Sequence, residues 1–361
     1  MNKKENKKVI FVNACLTGGG SERVMATLAN HFADMGFQVT MILVRDKERT
    51  YEMSKKVNYV QITYKHKNLL YLLCKRLYEM RRIIKNSDAE TVISFLTDIN
   101  FFTILACFML RKRVIISERA HPLLLSYNTK KPLYIRILRR ILYPLADAIV
   151  FQTEFAKECY PPSIKKKGYI IPNPISPSLP DVLEGQRKKV IVAAGRLSEE
   201  KNFSMLITAF YEVSKIHKDY KLIIYGRGHL LKDLKKQRNN LNLQDKVEFP
   251  GYVDNILERI KDASIYVSSS YFEGISNSML EALAMGIPSI CTDCPVGGAA
   301  MVIKNEVNGV LIPVGDVSAL RDAMLKIIED KEFSKELSEE AVKVRDHYHV
   351  SRICKKWMDV I

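Results

Sequence analysis

Short apolar runs and amphipathic stretches alternate along this chain, and the rhythm predicts its elements. Val9–Asn13 is a β-rich run, followed by a Gly-rich turn and a helix from about Ser21 to Met35. Val39–Val44, Thr91–Phe95, Val114–Ser117 and Ala148–Phe151 read as further short strands. After Pro172 the rhythm restarts with strand Val190–Ala194, a helix over 202–217, strand Lys221–Tyr225 and a helix over 230–240. Strands Val247–Phe249 and Ser264–Ser268 follow. Short apolar strands separated by amphipathic helices predict βαβ units and parallel sheets. Four prolines (172, 174, 177 and 180) stiffen a stretch that reads as an inter-domain linker. The expected fold class is α/β, with two doubly wound domains over 1–175 and 176–345. Residues 346–361 form a C-terminal helix that could pack back on the first domain. Folds of this kind hold ligands at the carboxyl ends of their strands, here in a cleft between the domains.

Charge divides at the same place. The 361 residues carry 56 Lys and Arg against 40 Asp and Glu, a formal net charge of +16. Residues 1–180 hold 30 of the basic and 14 of the acidic residues, while residues 181–361 hold 26 of each. One half therefore carries the whole excess, and it is expected to meet something anionic. The seven cysteines are scattered and odd in number, as in a reduced cytosolic protein. Cys291-Thr-Asp-Cys294 is a single CxxC without a second pair, which speaks against zinc. The apolar stretch after the basic start is too short for a signal peptide, and Phe101–Leu110 is about half of the ~20 residues a membrane span needs.

Four turns carry candidate chemistry. Thr17-Gly18-Gly19-Gly20-Ser21-Glu22-Arg23 lets backbone approach a ligand, and the following helix offers free N–H groups to an anion. Gly195-Arg196 and Lys201-Asn202, after the first strand of the second half, would set two cations beside a departing diphosphate. Tyr225-Gly226-Arg227-Gly228-His229 is a further turn at a strand's carboxyl end. In Phe272-Glu273-Gly274-Ile275-Ser276-Asn277-Ser278-Met279-Leu280-Glu281, two carboxylates flank a helix start whose amides would face an anion. Carboxylates accept hydrogen bonds from vicinal hydroxyls, so the pair suits a sugar.

Two amphipathic helices concentrate the N-terminal charge. Leu70–Ile84 sets Leu70, Leu73, Leu77, Met80 and Ile84 against Lys75, Arg76 and Arg82. Leu133–Leu145 sets Tyr134, Ile137, Leu138, Ile141 and Leu145 against Arg136, Arg139 and Arg140. Such helices suit the surface of an anionic bilayer, at roughly 1 kcal/mol per basic residue.

From about Val190 to Ile328 the sequence resembles glycosyltransferase family 4, a family of retaining enzymes with the GT-B fold of two Rossmann-like domains. The resemblance rests on Gly195-Arg196 with Lys201-Asn202 and on Glu273 and Glu281 within Phe-Glu-Gly-Ile-Ser and Glu-Ala-Leu-Ala-Met-Gly-Ile-Pro. It continues into Asn308-Gly309 before Val-Leu-Ile-Pro, and is looser around Gly18–Val24 in the N-terminal half. The sequence looks most like bacterial enzymes that extend lipid-linked oligosaccharides for surface polysaccharides.

The resemblance implies that Arg196 and Lys201 hold the donor diphosphate, Glu281 the nucleotide ribose and Glu273 the donor sugar. Gly274 and the backbone of Ser276, Asn277, Ser278, Met279 and Leu280 would lie beside sugar and phosphate, with Gly19 and Gly20 approaching from the other domain. Many relatives carry a histidine after the strand at Val114–Ser117. Here Arg119 stands near that place and His121 follows, so His121 joins Glu273, Arg196 and Lys201 as the expected catalytic set, with Arg119 as its alternative. The family's chemistry needs no protein nucleophile, and no Asp-x-Asp is present, so neither metal nor cofactor is expected. The implied partners are a nucleotide-sugar donor, a UDP-sugar above others, and a lipid-linked glycan. The protein would then be cytoplasmic and peripheral on the inner face of the membrane, with Lys75, Arg76, Arg82, Arg136, Arg139 and Arg140 facing the acceptor or the anionic surface, and no nucleic acid bound. The alternative is a basic nucleic-acid- or membrane-binding α/β protein without transferase activity. A dehydrogenase would need the G-x-G-x-x-G fingerprint, which neither half has.

Overall fold

The computed structural model describes residues 7–45, 50–64, 66–119 and 133–361. The chain forms two compact units, Met1–Pro174 with Val350–Ile361, and Ile175–His349. The first is built on seven parallel strands: β1 Lys8–Asn13, β2 Gln38–Leu43, β3 Asn58–Gln61, β4 Thr91–Phe95, β5 Arg113–Ser117, β6 Ala148–Phe151 and β7 Gly168–Ile170. Their order is β3-β2-β1-β4-β5-β6-β7. The second unit holds six: β8 Lys188–Ala194, β9 Lys221–Tyr225, β10 Val247–Gly251, β11 Ala263–Ser268, β12 Ser289–Thr292 and β13 Val310–Ile312. They run parallel in the order β10-β9-β8-β11-β12-β13. Both sheets are doubly wound, as the alternation predicts. The order reverses between β1 and β4 in one sheet and between β8 and β11 in the other, and such switch points are where open α/β sheets bind ligands.

Apolar strands fill both faces of each sheet. In β1, Val9 and Phe11 join a cluster with Val24, Leu28 and Phe32 of helix α1 (Gly20–Asp34) and with Ile353 and Trp357 of the C-terminal helix Val350–Met358. That helix packs against α1, and Trp357 stacks on Phe95 at 5.7 Å between ring centroids. The strands that the pattern does not reveal are β3, β7, β12 and β13. Each has only three or four residues, and β12 is the mixed run Ser-Ile-Cys-Thr, too short and too polar to show a period.

Helices α2 (Leu69–Lys85), α3 (Thr97–Cys107) and α4 (Leu133–Leu142) also belong to the first unit, with α3 packed against both of the others. Arg81 of α2 donates to the carbonyls of Ala106 and Phe108 at 2.9 and 2.7 Å, which caps the end of α3. Charge placement in α4 corrects the sequence reading. Arg139 is not on an outward cationic face with Arg136 and Arg140; it is only 6% exposed and lies 3.0 Å from Glu118, itself buried after β5. Arg139 also donates to Thr97 Oγ1 at 2.8 Å, and the Tyr143 hydroxyl donates to Glu118 at 2.6 Å. A buried carboxylate requires a cation and donors, and Arg139 supplies both. Burial works most strongly against the charge of Arg139, but Glu118, Tyr160 and Tyr143 together outweigh it and raise the guanidinium pKa. Arg139→Leu is expected to destabilise the first unit by about 3 kcal/mol, because it strands Glu118. Denaturant unfolding would check this, and a change below about 1 kcal/mol, the range of exposed pairs, would contradict it.

Candidate active site

The second unit's switch point is built from the ends of β8 and β11. After β8 the chain turns at Gly195, passes Arg196 and enters a 3-10 turn, Glu199–Lys201, that ends on Asn202 in the left-handed region (φ 47°). That turn aims Lys201 back across Gly195, whose Cα faces it so closely that an added methyl would lie 3.0 Å from Lys201 Cε. β11 ends on the first of three serines, Ser268–Ser270, and Glu273 follows. Lys201 Nζ pairs with Glu273 Oε1, and both side chains are about four-fifths buried, at 18% and 20% exposure. The other carboxylate oxygen accepts from Ser270 Oγ at 2.9 Å and from Ser268 Oγ at 3.4 Å. Ser269 Oγ donates to the carbonyls of Lys201 and Asn202, at 2.9 and 3.1 Å, and so ties the lysine's turn to the same loop.

Helix Asn277–Ala284 starts beside this pair. Ser276 caps it by accepting from the Met279 amide at 3.4 Å. Ser278 Oγ hydrogen-bonds with the Tyr266 hydroxyl (2.8 Å) and Ser276 Oγ (3.1 Å), and donates to the Ala194 carbonyl at 3.4 Å. These bonds lock the helix start to the end of β8. About one turn on, Glu281 is 1% exposed, and Met279 and Leu280 are buried. Glu273 and Glu281 thus stand on the two sides of one helix start, as their spacing suggested. Gly274 lies under the Pro295–Gly298 loop: a Cβ on Gly298 would sit 2.0 Å from the Gly274 carbonyl oxygen. Val296 in that loop has φ 84°, a strained value for a β-branched residue. Burial pushes the Cys294 thiol up to about 11 and raises Cys291 as well, so neither is a ready nucleophile.

Arg196 is the most open member, 74% exposed, with its guanidinium 3.9 Å from Glu200. The three serines are the residues that sequence reasoning missed. Their signal was a Ser-Ser-Ser run at the carboxyl end of a predicted strand, just before a helix start.

In the first unit, the Gly18–Gly20 turn has an anion of its own. The Glu22 carboxylate accepts from the backbone N–H groups of Thr17 and Gly19, the latter at 3.3 Å, and from Cys15 Sγ at 3.3 Å. Gly18 has φ 113°, a value that favours glycine. Glu22 thus engages two amides of the turn itself, ahead of the helix that starts at Gly20. Glu22→Ala is expected to cost about 1 kcal/mol, the loss of an N-terminal capping interaction, read as a lower melting temperature. An unchanged melting temperature would show that the turn holds without it.

Arg119 follows Glu118 at the end of β5. Its guanidinium donates to Ser117 Oγ at 2.9 Å and to Asn173 Oδ1, and covers the Phe95 ring at 4.2 Å. Burial disfavours its charge, with Glu118 acting in the opposite direction. His121 lies outside the described residues, as do Lys130 and Lys131. Of the expected surface cations, Lys75 and Arg82 pair with Glu79, at 3.5 and 2.7 Å, and Arg76 is partly buried; Arg136 and Arg140 are exposed. No group of three or more His, Cys, Asp and Glu side chains that could hold a metal occurs among the described residues, and no described helix is long and apolar enough to cross a membrane.

Comparison with known proteins shows the family and the fold. The chain is 28% identical over 360 residues, covering 98% of both chains, to a Campylobacter jejuni enzyme. That enzyme is the GalNAc-α-(1→4)-GalNAc-α-(1→3)-diNAcBac-PP-undecaprenol α-1,4-N-acetyl-D-galactosaminyltransferase. A second protein of that organism is 27% identical, covering 97% of this chain and 98% of its own length. It is an N-acetylgalactosamine-N,N'-diacetylbacillosaminyl-diphospho-undecaprenol 4-α-N-acetylgalactosaminyltransferase. Among solved structures, Anabaena Alr3699/HepE in complex with UDP and glucose superposes with a TM-score of 0.83, at 16% identity and 98% coverage of both chains, which shows a shared fold. Two family models adjoin along the sequence, glycosyltransferase family 4 over residues 18–179 and glycosyl transferases group 1 over residues 178–344. Matched in succession by both and built on two doubly wound sheets, the chain belongs to the GT-B glycosyltransferases of family 4.

Proposed function

We propose that this glycosyltransferase is a retaining, metal-independent enzyme that moves a hexose or N-acetylhexosamine from a UDP-sugar to a lipid-linked glycan. The observation that carries the reading is the Lys201–Glu273 pair at the second unit's switch point, with Arg196 beside it and buried Glu281 along the next helix. An ammonium group has three donors. With one given to Glu273, Lys201 keeps two for the oxygens of a diphosphate, and Arg196 adds a second, solvent-exposed cation. Glu273 is held at both oxygens by Lys201, Ser270 and Ser268, so it meets a sugar hydroxyl without reorganising. Glu281 is assigned to the nucleotide ribose by the family resemblance, and a carboxylate can accept from its vicinal hydroxyls.

In the reaction, the bond between the anomeric carbon and the phosphate oxygen breaks as the acceptor oxygen bonds to the same face. The acceptor proton passes to the departing phosphate, whose charge Lys201 and Arg196 offset. The diphospho-undecaprenol acceptors named for the two Campylobacter relatives support a lipid-linked acceptor, and the UDP of the Anabaena complex supports the donor class. The deciding experiment incubates the enzyme with a panel of nucleotide sugars and a polyprenyl-diphosphate glycan, with and without EDTA. An α-linked product from a UDP-α-sugar, formed equally in EDTA, is the expected result. A β-linked product, or a requirement for divalent metal, would overturn the respective part.

A further inference from the structure

Helices α2 and α4, and the end of α3 between them, present large apolar side chains to solvent. In α4, Tyr134, Ile137 and Ile141 are 55%, 48% and 59% exposed, while the arginine between them, Arg139, is buried against Glu118. In α2, Leu69, Leu70 and Tyr78 are exposed while Glu79 is buried, held by Tyr64, Lys75 and Arg82. Between them α3 ends on Leu105, Phe108 and Met109, the last 86% exposed and held in the left-handed region (φ 61°). α2 and α4 thus each bury one charged side chain while presenting several large apolar ones to solvent, which folding alone would disfavour. Bulky aliphatic and tyrosine side chains concentrate on this one layer of the first unit.

Cations surround the patch. Arg136 and Arg140 are exposed and make no ion pair with a described residue; Lys67, Lys85 and Arg111 are exposed around the same helices. The sequence half that carries this layer holds the entire +16. A second copy of the chain would bring the same positive charge to an interface, and like charges would oppose it. An anionic bilayer satisfies both features, since it accepts apolar side chains below its headgroups and cations among them.

We propose that the outward face of α2, α3 and α4 embeds in the acyl boundary of an anionic membrane leaflet, with Tyr134, Ile137, Ile141, Phe108 and Met109 as the inserted side chains. Arg136 and Arg140 lie among the headgroups, whereas Arg139 takes no part. Attachment is therefore by insertion as much as by charge. The inference rests on this surface and not on the donor, the mechanism or the acceptor, so its failure would leave the transferase reading intact.

Vesicle flotation of the full chain tests it, with phosphatidylglycerol-containing and pure phosphatidylcholine vesicles at low and high salt. The wild type should float with anionic vesicles and keep part of its binding at high salt. Ile137→Glu/Ile141→Glu should lower partitioning at least ~10-fold while its melting curve stays that of the wild type, because both sites are solvent-exposed. Tyr134→Trp adds an independent readout. The chain's own tryptophan, Trp357, is fully buried and should resist quenching, whereas the indole introduced by Tyr134→Trp should be quenched by brominated lipids. Absence of flotation, unchanged partitioning of the double variant, or an unquenched indole in the Tyr134→Trp variant would overturn insertion. A wild-type dimer in sedimentation that Ile137→Glu/Ile141→Glu dissolves would assign the face to a second copy and overturn it equally.

Discussion

Lys201→Ala is expected to lower kcat by at least ~10²-fold, with a similar loss in kcat/KM, because the group it removes acts on charge that develops as the diphosphate leaves. Lys201 is four-fifths buried and fixed on Glu273, so no neighbouring cation can replace it without reorganising. Arg196, 74% exposed, should matter less to kcat and more to donor KM. Glu273→Gln keeps the shape of the side chain and its contacts with Ser268 and Ser270 but removes the charge that holds Lys201. A loss comparable to that of Lys201→Ala is expected, and the double variant should be little worse than either single change, since the two act as a unit. Steady-state kinetics with saturating acceptor would measure all three. Near-normal turnover in Lys201→Ala would remove the pair from the reaction and with it the basis for the donor site.

Gly226→Ala is expected to be nearly as damaging from a residue that carries no functional group. Gly226 has φ 139°, and a methyl there would lie 1.8 Å from the carbonyl oxygen of Gly195. No rotation of a flexible neighbour relieves a clash with backbone, so the Gly195 turn must move by more than about 1 Å to reach ordinary contact. That turn sets the position of Arg196 and Lys201. A displacement of this size commonly costs ~10²-fold in rate, and the strain should also lower stability by about 2 kcal/mol or more. Gly315→Ala is a useful control: its φ of 79° imposes the backbone cost, but no atom stands within 4 Å of an added methyl. It should lose stability without losing the site. Equal activity loss in both variants would mean that general destabilisation, not displacement of the Gly195 turn, is responsible.

Much of this was legible in the linear pattern. The long apolar strands and the helices over 203–216 and 231–240 stand within one or two residues of where the periodicity places them, because burial on a parallel sheet leaves an unmistakable run. The glutamates, the cations and the small residues around them could be named because turns at strand ends must carry glycine and polar groups. The sheet edges could not, since three or four residues contain no period. Nor could the serines at the end of β11, whose role lies in which carboxylate oxygen each one reaches.

Helix α4 marks the division between the two kinds of information. Its sequence determines an amphipathic helix with arginines on one side and aliphatic residues on the other, in the half of the chain that carries the whole charge excess. Which of its arginines is buried is a matter of the partners that the fold supplies. Glu118, at the end of β5, is far from Arg139 in sequence and adjacent in space, and a buried carboxylate requires a cation beside it. So the sequence by itself determined two α/β units, their unequal charge and the motifs that carry the glycosyltransferase resemblance. The tertiary structure decided that Lys201 and Glu273 meet, that Glu22 engages the first glycine turn, and that Arg139 is part of the core while the isoleucines beside it remain outside. The physical reason is the same in each case: electrostatic pairing and desolvation depend on distances that only the folded chain sets.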